Sequence, residues 1–112
     1  MTFIAISAIT TGAVLEITFN RPEVRNAMSL AMVRELRQAL AQAESTEGSE
    51  QATRVVVLRG AGGHFCAGGD LKDMAGARMR ALQNEGDAAD PIAQVNAEFG
   101  HLCAAFANTP LA

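Results

Sequence analysis

The 112-residue chain contains no Trp and no Tyr, and its only aromatic residues are five Phe. A hydrophobic core must therefore rest on aliphatic side chains and Met. Apolar residues make up 49% of the sequence and charged residues 19%, which is typical of a globular chain rather than a disordered one. A chain of this length buries roughly two thirds of its unfolded surface, so the sequence predicts one small domain.

Three further absences exclude classes of protein. Two cysteines, Cys66 and Cys103, do not form a disulfide framework. The formal net charge of −3, without a basic cluster, argues against a nucleic-acid partner. No stretch approaches the roughly 18 apolar residues of a membrane span, and the apolar segment 1–9 lacks the basic start and cleavage pattern of a secretion signal. We therefore expect a cytoplasmic protein that binds neither nucleic acid nor membrane.

Apolar periodicity predicts an α/β chain of order β-β-α-β-loop-α-α. The predicted elements are, in chain order, strand 2–9, strand 13–19, a helix capped by Ser29 and running to about Ala43, strand 54–59, a helix from Asp70 to about Met79, a loop over 84–90, and a helix opened by Asp90 and Pro91 that ends near Asn108. Strand 54–59 is a β-branched run typical of a strand covered on both faces. Because this chain supplies few partners for such a strand, we expect it to be part of something larger.

The glycine-rich segment after strand 54–59 is the candidate functional loop. A strand, a glycine-rich turn and a helix start together direct backbone N–H groups at an anion. A Walker A loop is excluded, because Lys72 follows Gly69 by three residues and precedes Asp73. A dinucleotide fingerprint is excluded, because Phe65 stands where the third glycine belongs. From spacing alone, a loop with a purely structural role remains open.

The complete strings around this loop resemble the crotonase (enoyl-CoA hydratase/isomerase) superfamily. They are the loop string RGAGGHFCAGGDLKDM over 59–74 and the upstream string FNRPEVRNAMS over 19–29. Both occur in the family's order, with helix, linker and strand lengths between them that fit. The resemblance covers essentially the whole chain. It implies an α/β fold, the N-terminal part of the crotonase (ClpP/crotonase-like) ββα spiral, with residues 1–112 as the N-terminal part of an acyl-CoA-binding domain.

The resemblance implies a role for the loop 65–72 in binding the thioester of an acyl-coenzyme A. Family members stabilise a thioester oxyanion or enolate with two backbone N–H donors, and the first matches Gly69. The carbonyl of Ala67 matches the acceptor for the adenine amino group. The remaining residues of the substrate-binding segment are Gly68, Asp70, Leu71 and Lys72.

The upstream string contributes a second group of predicted binding residues. Val24 and Arg25 match the segment along the pantetheine and phosphate path, with Arg25 as a phosphate partner. Two interpretations of Ala27 stay open, a turn and packing residue or a contact to the acyl chain. Two interpretations of Lys72 stay open, a second phosphate partner or a solvated helix residue. Asn26 is expected to act in the turn and in packing.

The family's second oxyanion donor and its acid/base carboxylates match no residue of this sequence. Glu85, Asp87 and Glu98 are present, but none stands at a catalytic position of the motif. The resemblance therefore implies part of an enzyme that hydrates a 2-enoyl-CoA, and we expect the 112 residues alone to be inactive. Isomerase, decarboxylase, dehalogenase and hydrolase chemistry stay open, as does a non-catalytic CoA-thioester-binding or assembly fragment.

Other chemistry is expected to be absent. His64 and His101 lack the spacing of a metal site, and Cys66 with His64 makes a poor nucleophile–base pair because they are two residues apart. We expect no metal and no covalently bound cofactor, with a coenzyme A thioester as the substrate. The resemblance implies a homotrimeric or hexameric parent enzyme.

Overall fold

The computed structural model describes residues 2–83 and 91–112, which form a three-stranded sheet and three α-helices. The elements are β1 (Ile6–Thr11), β2 (Val14–Phe19), a 3-10 turn (Pro22–Val24), α1 (Leu30–Glu44), β3 (Val55–Gly60), a second 3-10 turn (Ala61–Gly63), α2 (Leu71–Gln83) and α3 (Pro91–Asn108). The α/β class and the predicted element order are confirmed.

The sheet has the strand order β1-β2-β3. β1 and β2 form an antiparallel hairpin in which Ile6 lies opposite Phe19, and Gly12, with φ +59°, makes the turn. β2 and β3 are parallel, with Phe19 opposite Gly60. The segments that leave β2 and β3 therefore start from the same edge of the sheet.

The core lies between the sheet and α1. Alternate residues of β2, namely Leu15, Ile17 and Phe19, are buried, as the period of two requires. The buried face of α1 consists of Met32, Val33, Leu36, Ala39, Leu40 and Ala43. The predicted cap is confirmed, because the Ser29 side chain accepts a hydrogen bond from the Met32 N–H at 3.1 Å. Aliphatic side chains and Met thus supply most of the core.

Several predicted boundaries are shifted. β1 begins at Ile6 instead of residue 2, because the N–H groups of Ile4 and Ala5 donate to the Glu35 carboxylate at 2.6 and 3.0 Å instead of to a strand. α2 extends to Gln83, beyond the predicted end. The loop predicted over 84–90 and the cap predicted at Asp90 lie outside the described residues.

β3 and α3 are less covered than their sequences predict. The residues of β3 from Val55 to Leu58 are half-buried, so the expected full cover on both faces is not present in the part of the chain that the structure describes. On α3, Val95 and Leu102 are buried, whereas Ile92 is 43% exposed. None of the helices within residues 2–83 and 91–112 has the length and hydropathy needed to cross a membrane.

Candidate functional site

The predicted site forms where the segments after β2 and β3 run side by side. The N–H of Ala67 donates to the Arg25 carbonyl at 3.1 Å, and the N–H of Met28 donates to the Gly68 carbonyl at 2.6 Å. The N–H of Asp70 returns to the Met28 carbonyl at 2.9 Å. These bonds make a short parallel bridge, and we call segments 25–28 and 67–70 the paired loops. Two sequence motifs that lie far apart in the chain thereby become one structural unit.

The bridge determines where the Gly69 N–H points. Met28 lies opposite Gly69 but bonds to the residues on either side of it, as in any parallel pair. The N–H of Gly69 is therefore directed away from Met28, and no described residue accepts a hydrogen bond from it. Gly69 is exposed and lies two residues before α2, whose N-terminus favours negative charge. The result is an accessible backbone donor at a helix N-terminus.

Gly68 gives the loop the backbone conformation that this arrangement needs. Its φ of +117° lies in a region that residues with a side chain rarely adopt. Gly69 is under no such constraint, since a Cβ added there would lie 3.7 Å from the Met74 Sδ, an ordinary contact. The glycine requirement thus belongs to the residue before the donor.

Asn26 holds the loop after β3 from inside. It is completely buried, with φ +58°, and its Oδ1 accepts from the Arg21 N–H at 2.8 Å. Its Nδ2 donates to the carbonyls of Ala61 and His64 at 2.8 and 2.7 Å. Both of its amide protons and its oxygen are therefore used. The expectation that Asn26 acts in the turn is confirmed, and its side chain also joins this turn to the second loop.

An ion pair crosses the paired loops. The Arg21 Nη2 lies 2.9 Å from the Asp70 Oδ2, and the Arg21 Nη1 donates to the Ala27 carbonyl. The Arg21 hydrogen bond holds the pKa of the Asp70 carboxyl below its ordinary value of 3.8, against the opposing effect of burial, and the N–H groups of Asp73 and Lys72 add to the lowering. The Asp70 side chain is therefore a carboxylate at neutral pH.

The same carboxylate caps α2. Its Oδ1 accepts from the N–H groups of Lys72 and Asp73 at 2.8 and 3.2 Å. The Oδ2 of Asp73 in turn accepts from the Leu30 N–H at 2.8 Å, at the start of α1. The sequence predicted a helix that begins at Asp70. In the structure Asp70 precedes α2 and caps it. The two carboxylates join the loop to both helices.

The structure brings together most of the predicted site residues. The paired loops contain Arg25, Ala27, Ala67, Gly68, Gly69 and Asp70. Val24 and Leu71 flank them and are exposed by 37% and 80%. Lys72 is exposed in the first turn of α2. Their roles toward coenzyme A remain predictions.

The structure describes one of the three acidic residues, Glu98, Glu85 and Asp87, that were predicted to stand at no catalytic position. Glu98 lies on α3 and pairs with Arg34 of α1 at 3.3 Å, away from the paired loops. Glu85 and Asp87 lie outside the described residues. Within residues 2–83 and 91–112, no three His, Cys, Asp or Glu side chains gather into a group that could hold a metal ion.

Sequence reasoning missed Arg21 and Asp73 as structural residues of the site. Both lie within the two strings that resemble the family, 19–29 and 59–74, and this position was the signal that could have identified them. Arg21 and Asp70 are 49 positions apart, so no local spacing rule could pair them.

A cavity of about 830 Å³ lies away from the paired loops. It is bordered by the turn between β1 and β2, the C-terminal part of α1 and the linker before β3, with Ala13 and Arg54 among its lining residues. These two residues precede β2 and β3, so the cavity lies at the amino ends of the parallel strands. Ligands of open α/β sheets bind at the carboxyl ends, where the paired loops lie. The paired loops are therefore the better candidate.

Comparison with known proteins identifies the family of the chain. The enoyl-CoA hydratase/isomerase family model matches residues 10–96. Enoyl-CoA hydratase EchA19 of Mycobacterium tuberculosis is 44% identical over 61 residues, which are 54% of this chain and 21% of that protein. Mitochondrial 3-hydroxyisobutyryl-CoA hydrolase of Mus musculus is 42% identical over 69 residues, 61% of this chain and 17% of that protein.

A solved structure extends the similarity to nearly the whole chain. Pseudomonas aeruginosa AtuE superimposes with a TM-score of 0.75 at 47% identity, covering 91% of this chain and 35% of that one. The chain thus spans about a fifth of the two curated relatives and about a third of the solved structure.

Proposed function

The chain belongs to the enoyl-CoA hydratase/isomerase family, and we propose that it forms the acyl-CoA-binding half of such an enzyme. In this proposal the N–H of Gly69 donates to the thioester carbonyl oxygen and stabilises the oxyanion or enolate that forms there. The observation that carries the proposal is that Gly69 is exposed and that the bridge turns its N–H away from Met28. One such donor is commonly worth about two to three orders of magnitude in rate.

The paired loops also support a route for the coenzyme A moiety. The N–H of Ala67 is bound to Arg25, which leaves the Ala67 carbonyl to accept from the adenine amino group. The exposed Arg25 side chain is then adjacent to a nucleotide phosphate, and Lys72 offers a second cation. Val24 and Leu71 present apolar surface to pantetheine, and Ala27 faces the acyl group.

The proposed reaction of the complete enzyme is hydration of a 2-enoyl-CoA. The second oxyanion donor and the acid/base carboxylates are assigned to residues outside these 112. The hydrolase relative favours thioester hydrolysis as a second candidate, since it too matches over 61% of this chain. Both reactions begin from a polarised thioester carbonyl, so Gly69 serves either. The proposal includes a cytoplasmic homotrimer or hexamer as the parent enzyme, with no metal.

The coenzyme A route is tested with Arg25→Ala. We expect its affinity for crotonyl-CoA to fall by about tenfold, the cost of roughly one charge-assisted hydrogen bond, with little change for the crotonyl thioester of pantetheine. Isothermal titration calorimetry measures both. Arg34→Ala, which removes an exposed arginine from α1, is the matched control and should bind both ligands normally. Equal losses for both ligands in Arg25→Ala would refute the phosphate role.

A hydration assay tests the assignment of the acid/base carboxylates to other residues. The 112 residues alone should bind crotonyl-CoA without hydrating it above background, because no acid/base pair is assigned among them. Measurable turnover would show that the assignment of these groups to other residues is wrong.

A further inference from the structure

We propose that Arg21 is a positioning residue for the Gly69 N–H: its guanidinium holds the paired loops in the register that directs this donor outward. The inference rests on the proposed function and adds a residue to it. Arg21 lies outside the paired loops and is not expected to touch the thioester.

The guanidinium contacts both loops at the bridge. The Arg21 Nη1 donates to the carbonyl of Ala27, the residue before Met28. Its Nη2 binds the carboxylate of Asp70, the residue after Gly69, at 2.9 Å. One planar group thus spans the bridge formed by Met28 and Gly69. A sliding or opening movement of one loop against the other breaks at least one of these bonds.

Asp70 transmits this restraint to α2. Its two oxygens have separate partners, because Oδ2 binds Arg21 while Oδ1 caps the helix through the N–H groups of Lys72 and Asp73. Gly69 lies directly before this doubly bound residue. The direction of its N–H is therefore fixed relative to the helix as well as to the first loop.

The ion pair of Arg21 and Asp70 is less exposed than that of Arg34 and Glu98. The Arg21 and Asp70 side chains are 21% and 8% exposed, whereas those of Arg34 and Glu98 are 62% and 32% exposed. Exposed pairs contribute little to stability. In this proposal, the partly buried pair of Arg21 and Asp70 serves to select one geometry of the loops. A donor for an oxyanion must be held within about half an ångström, so this geometry has a direct chemical consequence.

The first test measures the loops without ligand, in the 112-residue chain. In Arg21→Gln, amide hydrogen exchange at Met28, Ala67 and Asp70 should accelerate at least about tenfold, while the Ile17 amide in β2 keeps its protection. Arg34→Gln is the matched control, since it removes the arginine of an exposed ion pair. It should leave exchange at all four amides unchanged. Unchanged exchange in Arg21→Gln would overturn the proposal.

The second test follows the thioester itself. Crotonyl-CoA labelled with ¹³C at the thioester carbonyl should show a lower infrared C=O frequency when bound, because a hydrogen bond weakens the carbonyl bond. Arg21→Gln should lose at least about half of this shift while its Kd for free coenzyme A stays within about twofold. A general loss of folding would weaken coenzyme A binding as well, so the split between the two readouts identifies positioning.

Arg21→Lys keeps the test informative if Arg21→Gln does not fold. A lysine keeps the charge but lacks the planar fork that joins Ala27 to Asp70, so a reduced shift with normal coenzyme A affinity is expected. An intact shift in either folded variant would overturn the positioning role alone. No shift in the unsubstituted chain would overturn the proposed Gly69 function, and the positioning role with it.

Discussion

Two loop regions lie at opposite ends of β3, and they are held in different ways. The linker over 45–53, at the amino end, is fixed by hydrogen bonds between near neighbours, such as that from the Thr46 Oγ1 to the Ala43 carbonyl at 2.6 Å. The paired loops, at the carboxyl end, are fixed by bonds between distant residues, such as the ion pair of Arg21 and Asp70.

The difference is a reason to prefer the paired loops to the cavity as the candidate site. Local hydrogen bonds give a turn its shape, but they do not orient its backbone relative to another segment. The bonds of the paired loops orient one segment against another and so give a donor such as Gly69 a fixed direction. A binding site for a reacting carbonyl needs that direction more than it needs volume.

Among the substitutions that compare the two loop regions, that of Asn26 should lower the free energy of unfolding most. Asn26→Ala leaves two carbonyls and one N–H without partners and places alanine at φ +58°, so we expect a loss of about 4 kcal/mol in the free energy of unfolding. Thr46→Ala, in the linker, should cost about 1 kcal/mol. Urea unfolding measures both. Similar losses at the two sites would remove the distinction between the regions.

Asp70→Asn should lower the free energy of unfolding by a smaller amount, which depends on pH. We expect a loss of about 2 kcal/mol at pH 7, less than for a fully buried pair because Arg21 is 21% exposed. Because the pKa of Asp70 is lowered by folding, its charge stabilises the fold above pH 3.8, and this contribution is lost as the pH falls through the lower folded value. Unfolding measured at pH 7 and pH 2 should show the gap between variant and parent closing. A gap of constant size would contradict the role of the charge.

Substitution of the adjacent Gly68 and Gly69 should give the smallest differences in stability. Gly68→Ala should cost about 1–2 kcal/mol, since φ +117° strains any residue with a Cβ. Gly69→Ala should change stability by less than about 0.5 kcal/mol and leave crotonyl-CoA affinity within about twofold, because its backbone N–H is kept and a methyl group fits beside Met74. Thermal unfolding and calorimetry give the comparison, and the reverse order of costs would refute the assigned backbone roles.

The features that the sequence predicted are those encoded within a few neighbouring residues. The apolar stripe of α1 and its Ser29 cap depend on contacts three or four positions apart, and both were found where expected. The predicted start of β1 was wrong. The carboxylate of Glu35, some 30 positions away, accepts from the N–H groups of Ile4 and Ala5, which a longer strand would have used.

The sequence by itself determined the hairpin, the crossover helix, the third strand and the loop that resembles a thioester-binding segment. Only the tertiary structure decided which groups hold that loop. The bridge of Met28 to Gly69 and the pairing of Arg21 with Asp70 exist because β2 and β3 are parallel and end at the same edge of the sheet. Periodicity records which face of an element is buried, but the partner of a buried polar group is fixed by the chain path, which no local pattern contains.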